Sequence, residues 1–127
     1  MSYINGNIAE IQFLLEATKK GLLISKPQSS YSVYDYIVDN GKKMLKLQIK
    51  SCFLNGPRFG TNVCKGKSVK KSYTKDDCDI IIIFIAKHLI WFFIPVEELL
   101  TIKKITLLPF GDSKWNKYRE DWASLLQ

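Results

Sequence analysis

Residues 34–50, YDYIVDNGKKMLKLQIK, set two apolar-rich runs on either side of Asn40-Gly41. Asn-Gly readily adopts the positive φ values of a tight hairpin turn, so the stretch predicts a pair of antiparallel strands. A two-residue turn pairs Asp39 with Lys42, Asp35 with Lys46 and Val33 with Gln48. Residues opposite one another in a ladder share a face. Tyr34, Tyr36, Val38, Leu45, Leu47 and Ile49 then point to the core, and Asp35, Lys46, Gln48 and Lys50 to the other side. Asp35 and Gln48 become diagonal neighbours, roughly 7–8 Å apart. A hairpin that only holds a sheet together has no use for a carboxylate, an amide and an ammonium converging there.

On the N-terminal side, residues 7–20 predict a helix. Asn7 and Glu10 have the spacing of a capping box, Ile8, Ile11, Leu14, Leu15 and Thr18 recur at helical intervals, and Gly21 stands where a helix commonly ends. LLIS at 22–25 reads as a short strand and KPQSS as a loop. Beyond the hairpin, residues 52–75 show no periodicity and read as a long, partly mobile loop. DIIIIFIA (79–86) and IWFFIP (90–95) read as buried strands paired across KHL, candidates for core and for an interface between copies alike. VEELL is a helical turn and KITLLP a last strand. DSKWNKYREDWASLLQ (112–127) predicts a closing helix capped by Asp112 or Ser113, with Trp115, Tyr118, Trp122 and Leu125 on one face. The order, helix then three strands then further strands and a helix, predicts an α+β (mixed α/β) fold around one central mixed sheet.

The chain has 127 residues, enough for one core, and the expectation is one domain over 1–127. Apolar residues make up 46% and charged residues 24%, the balance of an ordinary soluble globular protein. The net charge of +7 favours a polyanionic partner. Cys52, Cys64 and Cys78 form no C-x-x-C pair, and His88 is the only histidine, so reduced thiols are expected rather than a disulfide framework or a zinc site. MSYINGNIAE lacks the basic and apolar regions of a signal peptide, and Lys87-His88 interrupts the most apolar run. A cytoplasmic, DNA-associated protein without a membrane segment is the expectation. No Gly-rich phosphate loop or Ser/His/Asp arrangement suggests another chemistry or an organic cofactor.

A carboxylate and an amide oxygen at this spacing suit a hard divalent cation. Mg²⁺ takes oxygen ligands, often only one or two from protein, and leaves its other positions to water and phosphate. A lysine two residues beyond the second ligand can neutralise a phosphate or act on an attacking water, which outlines metal-assisted phosphodiester hydrolysis.

Asp35, a turn and then Gln48-Ile49-Lys50, preceded by a helix carrying Glu10, resembles the core of the PD-(D/E)XK nuclease superfamily. The resemblance covers residues 5–52 well and the later strands only by order and hydrophobicity. It implies a restriction-endonuclease-like αβββ core. Asp35, Gln48, the Ile49 carbonyl and Glu10 would bind Mg²⁺ or Mn²⁺, and Lys50 would assist the nucleophilic water. Tyr34 stands where the motif has proline, and Gln48 where it has an acidic residue. The glutamine keeps an oxygen but removes a charge, which lowers metal affinity. The phrase running from GNIAE through ISKP and YDYIVD to LQIK is similar to group I intron homing endonucleases of this fold and to archaeal-type Holliday junction resolvase-like nucleases. The resolvase likeness also implies a phosphate contact by Ser29 or Ser30.

From Lys42 to Lys75 there are ten basic residues and no Asp or Glu. Because the run begins on the hairpin, Lys46, Arg58, Lys65, Lys67, Lys70, Lys71 and Lys75 are candidates for contacts to DNA phosphates. The expectation is a metal-dependent, site-specific homing endonuclease acting on DNA as a homodimer or homotetramer. The alternatives are a junction-specific nuclease, or a weakly catalytic DNA-binding module of the same fold.

Overall fold

The computed structural model describes residues 2–66 and 68–127. In chain order it contains α1 (Ser2–Lys19), β1 (Leu23–Ser25), β2 (Tyr36–Asp39), β3 (Met44–Cys52), β4 (Phe59–Asn62), β5 (Cys64–Lys65) and β6 (Lys71–Ser72). There follow β7 (Ile80–Ile85), β8 (Ile90–Pro95), β9 (Lys104–Leu107) and α2 (Ala123–Leu126), with 3-10 turns at Val96–Leu99 and Lys114–Tyr118. Five strands form a mixed sheet in the order β1-β2-β3-β7-β8. β3 and β7 are parallel and the other neighbours antiparallel. The α+β class and the central mixed sheet match the sequence expectation.

Both faces of the sheet are covered, which is why β7 reads as an unbroken apolar run rather than an alternating one. Ile81, Ile83 and Ile85 enter one core with Phe59, Phe92, Ile94, Leu99, Ile105 and Trp115. Ile80, Ile82 and Phe84 enter the other with Phe13, Leu47, Ile49, Trp91 and Trp122. The side chains of Ile80–Ile85 and of residues 90–94 are buried in these cores.

The helix departs from its expected bounds and face. It starts at Ser2, with Asn7 inside it rather than capping it. Its buried residues are Ala9, Phe13 and Ala17, while Ile8, Ile11, Leu14 and Leu15 are exposed. Two alanines one turn either side of Phe13 let the helix lie close to the sheet. Phe13 then packs among Tyr36, Trp91 and Trp122, stacked on Trp122 at 5.8 Å. Phe13→Ala would leave a cavity costing about 3–5 kcal/mol.

The hairpin turn also differs. Asp39 pairs with Met44, Val38 with Leu45 and Tyr36 with Leu47, leaving residues 40–43 as a four-residue loop. Asp39 Oδ1 accepts from Gly41 N at 2.8 Å, and Asn40 Oδ1 accepts from Lys42 N and Lys43 N at 2.9 and 3.0 Å, which widens the turn. The shift is by two residues, so β3 keeps its partition of faces. Tyr34 is the exception, packing against the core opposite to that of Tyr36.

Residues 53–79 are the crossover that a parallel β3–β7 pair requires. The segment is built, not merely a loop. β4 pairs with β9, β5 pairs with β6, and Phe59, Val63 and Tyr73 are buried. The closing helix is likewise broken. Ser113 Oγ caps Trp115 N at 3.2 Å as expected, but the chain leaves helical geometry at Arg119. Arg119 bridges Phe92, and Trp91 N donates to Glu120 Oε2 at 2.6 Å, covering the open edge of β8. The aromatic stripe is thereby split, with Trp115 and Tyr118 in one core and Trp122 and Leu125 in the other.

Candidate active site

β3 positions the centre of the site. Leu47 and Ile49 anchor one face of the strand in the core beneath α1. Gln48 and Lys50 therefore point the opposite way, into a cleft of about 930 Å³ that Asp35 also lines. The ladder register ends at Tyr36 opposite Leu47, and Asp35 meets the same Leu47 through its backbone, so the strand steps irregularly there and delivers the Asp35 carboxylate to the cleft beside Gln48. Asp35 N donates to Leu47 O at 2.8 Å, and Asp35 Oδ2 accepts from Ile49 N at 2.7 Å. One carboxylate oxygen is thus fixed by backbone and the other left to the cleft.

The Ile49 carbonyl faces the same side. Leu47 O points toward β2, where it meets Asp35 N, and Lys46 O points toward β7, where it meets Asp79 N at 2.8 Å. Carbonyls alternate along a strand, so Ile49 O points toward the β2 side, next to Asp35 and beyond the end of the β2 ladder.

Electrostatics mark the cleft. Burial pushes the Asp35 carboxyl up to about 6, opposed by the Ile49 N–H and reinforced by Glu10. Burial also lowers the Lys50 ammonium below its usual range, with Asp35 opposing. Lys50 Nζ lies 5.2 Å over the ring of Tyr73. A desolvated carboxylate with a second carboxylate close by is what a hard cation would relieve. Among the described residues no three His, Cys, Asp or Glu side chains converge to hold a metal by themselves. The fitting donor set is mixed: the Asp35 carboxylate, the Gln48 amide oxygen and the Ile49 carbonyl.

Glu10 reaches the site from the other layer. It lines a neighbouring depression together with Lys26, Ser29, Ser30, Ser32 and Asp35. Asp35, Ser30 and Ser32 are shared with the main cleft. Lys26 Nζ is 3.8 Å from Glu10 Oε1. Burial, with the Glu10 charge adding, pushes the Tyr36 hydroxyl up to about 12. Ser29 Oγ accepts from Tyr31 N at 3.2 Å, shaping the loop as much as facing solvent.

The basic segment is less uniform than its sequence. Lys65 and Lys70 line the cleft. Lys65 is nevertheless paired with Asp77, and Lys70 Nζ donates to Gly66 O at 2.9 Å. Lys75 is held by Asp79 and Glu97, each at 3.1 Å, and Lys46 Nζ donates to Asp76 O at 2.7 Å. The acids come from beyond the run, so the segment alone does not reveal them. Arg58 and Lys71 make no ion pair among the described residues, and Lys67 lies outside those residues. The sequence reading missed Tyr73, Asn62 and Ser32, which also line the cleft. Tyr73 and Asn62 lie in the crossover, where no local pattern marks them.

A family model described as PD-(D/E)XK endonuclease matches residues 3–125. Among solved structures, a bacterial homing endonuclease, I-Ssp6803I, superposes with a TM-score of 0.87 at 22% identity, covering 99% of this chain and 93% of its own. No curated protein matches the chain.

Proposed function

The chain belongs to the PD-(D/E)XK endonuclease family, and from that premise we propose a divalent-metal-dependent DNA endonuclease of the site-specific homing type. One observation carries the reading. Asp35, Gln48 and Lys50 share a cleft in which Asp35 is bound through one oxygen to the backbone of Ile49. The homing assignment is supported by the likeness in fold to a bacterial homing endonuclease.

Asp35, Gln48 and the Ile49 carbonyl would hold Mg²⁺ or Mn²⁺, with Glu10 supporting from the adjoining depression. Bound there, the ion would polarise the scissile phosphate and lower the pKa of a water. Lys50 contributes a desolvated ammonium beside Asp35. In that position it orients the attacking water and balances charge on the phosphorane-like transition state. Its aliphatic stem and the Tyr73 ring exclude bulk water from that side of the cleft. Ser29 and Ser30 offer hydroxyls to a neighbouring phosphate, and Lys70, Lys71 and Arg58 neutralise the flanking backbone, Lys65 being already balanced by Asp77. Cutting both strands of a duplex needs two such sites, hence a homodimer or homotetramer. The exposed Ile8, Ile11 and Leu15 of α1 provide an apolar surface for a second copy.

The test is a cleavage assay on a plasmid library and on branched DNA, with Mg²⁺ or with EDTA, using wild type and Lys50→Ala. Metal-dependent cutting of duplex that is lost in the variant is expected. Cutting of branched DNA alone would move the reading to junction resolution. Tight binding without cutting of either substrate would overturn the enzyme.

A further inference from the structure

β4 and β9 form a two-stranded ribbon with a sharp division of faces. Phe59 and Thr61 on one strand and Ile105 and Leu107 on the other are buried, while Asn62, Lys104 and Thr106 are exposed. Asn62 stands opposite Lys104, and Gly60 opposite Thr106. The Lys104 side chain lies across Gly60, where a Cβ would meet its Cε at 3.4 Å, an ordinary contact. The ribbon thus carries an amide, an ammonium and a hydroxyl on a surface with no side-chain bulk beneath the lysine. No Asp or Glu occurs in residues 59–66 or 103–107. Among the described residues the Asn62 amide makes no side-chain hydrogen bond, so its donor and acceptor are both available.

Position gives this surface its meaning. Asn62 lines the cleft that holds Asp35, Gln48 and Lys50, and it also lines the next depression, with Gly60, Lys104, Phe53 and Leu54. It is the shared wall between the two. A duplex whose phosphate sits at Asp35 and Lys50 would therefore present its neighbouring base pairs to the ribbon. The major groove is about 12 Å wide and admits a two-stranded ribbon, whose strands lie about 4.8 Å apart.

We infer that the outer face of the β4–β9 ribbon reads base edges in the major groove, with Asn62 as its principal specificity-determining residue. An asparagine amide matches adenine, donating to N7 and accepting from the N6 amino group. Lys104 adds a donor for guanine or a phosphate contact, and Thr106 a hydroxyl and a methyl. The inference rests on the endonuclease reading above and assigns that site its sequence-reading element.

The test selects bound sequences from a randomised 20-base-pair duplex library in EDTA, with the full-length wild type, Asn62→Ala and Asn62→Asp. Anisotropy on an unselected duplex is measured alongside. Wild type should enrich a motif containing an A·T pair that Asn62→Ala no longer distinguishes, with discrimination at that pair falling about tenfold or more. Asn62→Asp should shift preference there toward cytosine, whose N4 amino group only donates. Because Asn62 is exposed, the alanine variant should melt within a few degrees of wild type, which shows that it folds, and anisotropy separates lost discrimination from lost affinity. The same motif from wild type and both variants overturns the inference and leaves the endonuclease intact. A wild type that enriches no motif overturns site-specific reading and this inference together, while the plasmid cleavage assay still decides whether the protein is a nuclease.

Discussion

The backbone N–H of Ile49 donates to Oδ2 of Asp35 at 2.7 Å, so the middle residue of the Gln48-Ile49-Lys50 triplet holds the carboxylate that its two neighbours flank. Main chain thus holds one oxygen of Asp35 and leaves the other facing the cleft. Burial, with the Glu10 charge adding, still pushes this carboxyl up to about 6 from the ordinary 3.8, against the lowering effect of the Ile49 N–H.

That shift has a sign that calorimetry can read. The folded state binds the Asp35 proton more tightly than the unfolded state, so this group's contribution is fully present below pH 3.8 and is lost as pH rises through about 6. In EDTA, Asp35→Asn should match wild type in stability near pH 4 and exceed it by about 2–3 kcal/mol above pH 7, because asparagine keeps an acceptor for Ile49 N–H without a charge. Cleavage by the variant should be abolished. A wild-type-minus-variant difference that does not change between pH 4 and pH 8 would show that Asp35 is not strained.

Lys50→Ala should reduce the single-turnover cleavage rate about 10²–10⁴-fold, the range for losing a positioned proton-transfer group. Duplex affinity in EDTA should fall only a few-fold, as for one phosphate contact. Equal losses in rate and affinity would make Lys50 a binding residue instead.

Tyr73 gives Lys50 an aromatic floor, with Nζ 5.2 Å over the ring. Tyr73→Phe keeps that face and should retain most of kcat. Tyr73→Leu removes it and should lower kcat about 2- to 30-fold with KM little changed, the size of a partly desolvated cation–π contact. If the Phe and Leu variants were equally impaired, the hydroxyl rather than the ring would matter.

What could be read in the sequence was whatever short-range pattern determines. Asp35, Gln48 and Lys50 line one cleft although the turn differs from the expected one. The Asp39 and Asn40 side chains widen it by two residues, which preserves side-chain parity for Gln48 and Lys50, and Asp35 joins them from the irregular step before Tyr36. A shift of one would have turned Gln48 and Lys50 into the core. The buried face of α1 is not legible in the pattern, because Ala9, Phe13 and Ala17 form a weaker apolar signal than the isoleucines, yet closeness of approach decides the packing. Tyr73 and Asn62 were invisible because the crossover between parallel β3 and β7 brings them to the cleft, and nothing local encodes that pairing.

The lysines make the same point about distance, and it can be measured. Lys71 has no ion pair among the described residues, whereas Lys75 is held by Asp79 and Glu97. On an arbitrary duplex, Lys71→Ala should reduce the magnitude of the log Kd against log salt slope by about 1, the release of one counterion's worth of charge. Lys75→Ala should change that slope much less, since its charge is already balanced. Identical slopes for the two variants would mean that DNA competes away the Lys75 pairs.

Gln48→Glu tests the departure from the family pattern. Gln48 lines the same cleft as Asp35, which Glu10 approaches from the adjoining depression, so a carboxylate at 48 would add a third negative charge there. Without metal, that charge should push the Asp35 carboxyl further up and destabilise the protein at pH 7. With metal, the extra charge is compensated, and the Mg²⁺ concentration for half-maximal cleavage should fall roughly tenfold. The two effects have opposite signs and one cause, so melting temperatures in EDTA and in 10 mM-range (about 10 mM) Mg²⁺ should straddle the wild-type values. If Gln48→Glu destabilises the protein in both conditions and the Mg²⁺ requirement is unchanged, the Gln48 side chain does not touch the ion, and Asp35 with the Ile49 carbonyl holds it alone.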